Sequence, residues 1–118
     1  MFRIRPEQLE ILTESGFEGQ IIDHVREFFP EACADLGMER LWILVREAIK
    51  QARAHGLEEG PHICLFVDLT FIFGRDFDSQ PWAEEILGDA SLAVQRDVQM
   101  LRLKHAAFDR LDAMETHA

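Results

Sequence analysis

The chain has no tyrosine, and only two cysteines and four prolines among its 118 residues. The cysteines, Cys33 and Cys64, stand in no CxxC arrangement. That excludes a zinc ribbon and a disulfide framework and leaves two small buried hydrophobes suited to a reducing compartment. No GxSxG or SxxK setting surrounds a serine, and no Gly-rich phosphate loop occurs. The histidines, His24, His55, His62, His105 and His117, form no HxH or HExxH pair. His62-x-Cys64 offers two ligands where a metal site needs three or four. The residues therefore name no catalytic group, no cofactor and no metal set, and the expectation is that the protein is not an enzyme.

Positive charge is scarce as well. Twelve Lys and Arg face 22 Asp and Glu, for a formal net charge of -10. Such a balance repels nucleic acid phosphates and anionic lipid heads, so no nucleic acid partner is expected. Long apolar runs are missing. The longest, Ile63 to Phe73, is half the ~20 residues that a spanning helix needs and contains Asp68, so no membrane span is expected. The opening "MFRIRPEQLE" has no apolar h-region and does not read as a signal peptide.

What is present suits one globular domain over residues 1–118. The hydrophobic fraction of 47% is ordinary for such a domain, and the length permits one core without metal or disulfide staples. The charge is uneven. Met1 to Gly37 holds eight acids and three bases, and Gly56 to Ser91 holds eight acids and only Arg75. Between them, Arg40, Arg46, Lys50 and Arg53 outnumber Glu39 and Glu47. An acidic surface serves solubility or a basic partner.

The periodicity is helical throughout. "RPEQLEILTESGFEGQIIDHVREFFP" places Pro6 at a first helical position and Leu9, Leu12, Phe17, Ile21, Val25 and Phe28 near one stripe. One long helix is expected, bent or interrupted at Gly16 and stopped at Pro30. "EACADLG" is a short helical turn ending at Gly37. In "MERLWILVREAIKQARAHG", Leu41, Leu44, Val45, Ala48, Ile49 and Ala52 make the clearest amphipathic helix of the chain. "PWAEEILGD" is a short helix. "SLAVQRDVQMLRLKHAAFDRLDAM" is a long final one, with an imperfect stripe of Leu92, Val94, Val98, Leu101, Ala106, Phe108 and Leu111. The tail from about residue 114 should fray. The expected fold is all-α, a single compact bundle of five to seven helices.

The stretch "CLFVDLTFIFGRDFDSQPW", Cys64 to Trp82, carries the sharpest questions. Its Val, Ile, Thr and Phe content suits a strand, but a lone strand among helices has no partner, so a buried central helix is expected. Asp68 must then be paired, hydrogen-bonded or protonated. Arg46 or Lys50 of the preceding helix is the expected partner, and a general acid or base is the functional alternative. "GRDFDSQPW" is no EF-hand loop, because the sixth place from Asp76 is Pro81 where glycine is needed. The structural reading has Gly74 ending the helix and Asp76 or Asp78 accepting backbone N–H bonds in the turn. Asp78 or Ser79 would cap the helix that Pro81 and Trp82 begin, with Phe77 and Trp82 folded onto the core. A hydrolase pairing Asp68 with Asp76 or Asp78 is the enzymatic alternative. Nine Phe and two Trp serve either core packing or a groove for a partner helix.

Two motifs carry a family resemblance. "FP-x-x-C-x-x-L-G" is Phe29, Pro30, Cys33, Leu36 and Gly37, and "G-x-D-F-D-x-x-P-W" is Gly74, Asp76, Phe77, Asp78, Pro81 and Trp82. Together with "RPEQLE" and "LVREAIKQARAHG", they resemble small helical proteins encoded beside type VI secretion effectors and their adaptors, over residues 3 to 88. The segment "LTESGFEGQ" departs from that pattern. The resemblance implies a bacterial cytoplasmic accessory chaperone or co-chaperone in effector loading, with the effector or its larger adaptor as partner. It supplies no catalytic residue. The motif residues and Asp68 are then structural, and the final helix could pair across a homodimer. An immunity protein that neutralises a neighbouring toxin is the alternative.

Overall fold

The computed structural model describes residues 14–116, with side chains described from 16 to 114. Six α-helices and one 3-10 turn make up the described residues, with no strand among them. Helix α1 runs Glu14–Phe28 and passes through Gly16 without a break. The expected start at Pro6, with Leu9 and Leu12, lies outside the described residues. Pro30 stops α1 and also opens α2, Pro30–Ala54, where its missing N–H costs nothing at the first helical position. Gly37 interrupts α2 with φ 79° and ψ 160°, backbone that a side chain strongly disfavours, so the short turn and the amphipathic helix meet at a kink.

Helix α3, Gly60–Phe73, is the spine. Ile63, Cys64, Phe66, Val67, Leu69 and Thr70 are all buried, on more than one face, as an all-round apolar helix requires. It packs against α1 through the His24–Asp68 pair, and directly against α2 and α6. Gly74 closes it, its N–H bonded to Thr70 O. The 3-10 turn Phe77–Ser79 then lays Phe77 fully inside the core, its ring 4.8 Å from Phe66 and 6.2 Å from Trp82. Helices α4, Pro81–Leu87, and α5, Ala90–Ala93, lead to α6, Arg96–Thr116.

The sequence expectation of one final helix from Ser91 divides here. The chain turns at Val94 and Gln95, and Asp89 caps the short α5 by accepting from the Ser91 and Leu92 N–H groups. Helix α6 continues to Thr116, beyond the expected start of fraying. Arg96 at its start reaches Gln99 Oε1 at 2.7 Å and lies so close over Gly56 that any Cβ there would collide with its guanidinium. Gly56 therefore serves the approach of α6 as well as the end of α2.

The stripe of α6 is the main correction. Val98, Leu101 and Phe108 of that stripe are exposed, as is Val94 in the turn before the helix. Gln99, Met100, Leu103 and Ala107 are buried instead. The buried amide of Gln99 is satisfied rather than stranded, because its Nε2 donates to Ile86 O at 3.1 Å and Leu87 O at 3.4 Å, the carbonyl end of α4. In α1 the inner face likewise includes Ile22 and His24, while Phe28 is 45% exposed. No helix among the described residues is long and apolar enough to cross a membrane.

Candidate functional site

Asp68 finds neither Arg46 nor Lys50. Its Oδ1 lies 2.7 Å from His24 Nε2 across the α1–α3 contact. Arg46 instead bonds Glu18 at 3.1 Å. The reason is rotational. The buried face of α3 that carries Asp68 is turned to α1, and the bases of α2 project to solvent. His24 is 8% exposed and Asp68 27%, measured on their side chains. Burial pushes the Asp68 carboxyl above its ordinary range, and the adjoining imidazole pulls it back down. The Phe28 ring, 4.8 Å from the imidazole, packs beside it.

Cys64, one helical turn before Asp68, completes a trio. Donor atoms of His24, Cys64 and Asp68 all lie within 4.8 Å of one another. Burial first, and the Asp68 charge second, push the Cys64 thiol far above the ordinary cysteine range. Cys33 is raised too, by burial against the opposing pull of Arg26, and its Sγ donates to Val25 O at 3.4 Å.

The acids of the "GRDFDSQPW" stretch do not cap as expected. Helix α4 begins after Gln80 with no side-chain cap, and no side chain caps the 3-10 turn either. Asp78 Oδ2 meets His55 Nε2 at 2.9 Å, tying the turn to the end of α2. Ser79 Oγ donates to Asp76 O at 2.8 Å, so here the backbone carbonyl of Asp76, not its carboxylate, accepts in the turn. A third imidazole, His62, meets Asp97 of α6 at 2.9 Å and Glu59 at 3.2 Å. Three histidines thus carry cross-element contacts to acids, and no spacing rule in the sequence pairs residues that lie 23 to 44 positions apart. The acids of the enzymatic alternative have separate settings: Asp68 faces α1, Asp78 faces His55, and Asp76 is exposed.

The two motifs meet around the C-terminal end of α3. The Phe29 ring stacks on Phe71 at 5.4 Å, and Trp82 sits 5.1 Å from Phe73 with its Nε1 donating to Gln80 Oε1. Pro30 and Pro81 each open a helix, Cys33 is buried, and Gly37 and Gly74 sit at a kink and a helix end. Between α2 and α3 lies a groove of about 560 Å³, walled by Leu36, Ile43, Leu44 and Phe71 with Arg40 and Arg75 on its lining. Arg75 is also paired with Glu47.

A second surface is the outward seam of α6. Val98, Leu101, His105, Phe108 and Asp112 recur at alternating steps of three and four, the a and d places of a heptad, and all are exposed. Asp97, Arg102, Lys104 and Asp109 flank that seam and are exposed too. Lys104 Nζ stands 6.0 Å over the Phe108 ring. The sequence shows the apolar residues of this seam as part of an imperfect stripe, but not that they face solvent. No family model matches the chain, and neither a curated protein nor a solved structure does.

Proposed function

We propose that this chain is a non-enzymatic accessory protein of the bacterial cytoplasm. On this reading it holds a type VI secretion effector, or the effector's larger adaptor, through the outer face of α6. The observation that carries the reading is that seam. A helix already packed by Met100, Leu103 and Ala107 presents a second apolar row to solvent, with Leu101 and Phe108 each 53% exposed. A row of this kind, rimmed by charges of both signs, suits an amphipathic helix of a partner. The family resemblance of the two motifs supplies the identity of the partner.

A second copy of the chain competes for the same face. In a parallel pair Asp97 would lie against Arg102, and Lys104 against Asp109, which are attractive flanks, with Val at a and Leu at d favouring two strands. The test is co-expression with a type VI secretion effector and its adaptor, taken from the neighbouring genes where these encode them, followed by purification and a mass measurement in solution. A stoichiometric complex is expected, and the Leu101→Asp plus Phe108→Asp chain should fold normally and lose it. A complex that survives both substitutions, or a homodimer that excludes the effector and adaptor, overturns the proposal. The acidity of the chain favours one rival, an immunity protein on a basic toxin. Expression alone would then rescue toxin-exposed cells, which an accessory chaperone does not do.

A further inference from the structure

We propose that His24, Cys64 and Asp68 form a binding site for a borderline divalent metal ion such as Zn²⁺, buried between α1 and α3. The donors are of three kinds, imidazole nitrogen, thiol sulfur and carboxylate oxygen, which together suit zinc and related ions rather than Mg²⁺ or Ca²⁺. Their donor atoms already lie within 4.8 Å of one another. Around a tetrahedral zinc, donors stand roughly 3.3–3.6 Å apart, from bond lengths of about 2.0–2.3 Å. The His24–Asp68 edge, now 2.7 Å, must open by somewhat less than 1 Å, and the longest edge must close by at most about 1.5 Å.

A second observation points to a ligand. Cys64 is 1% exposed, and among the described residues its thiol has no hydrogen-bond partner, whereas Cys33 bonds Val25 O. Among the described residues, the other metal-binding donors near it are His24 and Asp68. On binding, the thiol releases its proton to solvent as the metal–sulfur bond forms, and the proton held between His24 Nε2 and Asp68 Oδ1 passes to solvent or to Nδ1, which frees the Nε2 lone pair and the carboxylate oxygen for the metal. The Asp68 side chain is 27% exposed, so one edge of the site meets solvent. The site is independent of the α6 surface.

Co²⁺ titrated into the purified full chain tests this. The expected result is one equivalent bound, with a near-ultraviolet thiolate-to-cobalt charge-transfer band and visible bands of tetrahedral strength, both removed by Zn²⁺. Cys64→Ser should abolish the charge-transfer band and Cys33→Ser should leave it. Asp68→Asn should weaken binding at least tenfold with an unchanged far-ultraviolet circular dichroism spectrum. Only the spectrum of hydrated cobalt at one equivalent, or a band lost with Cys33→Ser and kept with Cys64→Ser, overturns the assignment.

Discussion

Replacing Gln99 with leucine tests how α6 is held. The side chain is fully buried, and its Nε2 donates to Ile86 O and Leu87 O. Ile86 O also receives the Gly88 N–H and, in a long bond of 3.4 Å, the Asp89 N–H, so Leu87 O is the carbonyl that depends more on the amide. Leucine fills similar space but donates nothing. Each lost hydrogen bond is worth about 1 kcal/mol net, and a carbonyl left dry at a helix end costs about 1–3 kcal/mol. The added apolar surface offsets about 1 kcal/mol. The expected loss is about 2–4 kcal/mol. With a urea slope of about 1.5 kcal/mol per molar for a domain of this size, the midpoint should fall by more than 1 M. Gln99→Glu should do worse near neutral pH, because it turns a carboxylate toward two carbonyl oxygens, and should recover in acid, where the protonated group donates again. Urea unfolding followed by circular dichroism reads both. A Gln99→Leu midpoint within about 0.3 M of the parent would refute the bridging role, since the sum above leaves no room for so small a change.

Phe77→Ala should cost about 3–5 kcal/mol, because the ring is fully buried against Phe66 and near Trp82. Calorimetry should show the melting temperature falling by more than 10 °C, at roughly 4 °C per kcal/mol. Gly37→Ala should lose about 1–3 kcal/mol in the same assay although nothing crowds the position, because only the φ of 79° resists the new Cβ. Asp89→Ala should be less stable than the parent near neutral pH. Hydrogen bonds from Ser91 hold the Asp89 carboxyl below its ordinary range, so its contribution is present above about pH 4 and is lost as pH falls through the lowered folded value. Melting curves of the two proteins should therefore converge in acid, and a gap that persists there would contradict the cap.

The all-helical fold was legible because glycine and proline punctuate it. Pro30 and Pro81 open helices, Gly37 kinks one, and Gly74 ends the spine. The rotation of α6 was not legible. Its sequence offers two apolar rows of similar strength. The one with Met100 and Leu103 turned inward, together with Gln99, whose amide meets the open carbonyl end of α4, a partner that exists only after folding. The partner of Asp68 was hidden for a similar reason. Full charge pointed to Arg46 and Lys50, but helix rotation sends those bases to solvent and brings His24 from 44 residues away. Cys64 joined the same place because it lies one turn from Asp68 on the same helix, a spacing visible in the sequence only once His24 is known to face it.

The three imidazole contacts have a consequence for rigidity. A lysine reaching an acid must freeze four rotatable bonds, whereas a histidine freezes two and ends in a flat ring, so less side-chain freedom is surrendered per tether. With 22 acids and 12 strong bases, the chain leaves several of its long flexible cations at the rim and ties its elements together with short stiff rings. Lysine at position 24 or 55 would preserve the attraction yet lengthen the strut, and the helices it joins would be held at a looser spacing.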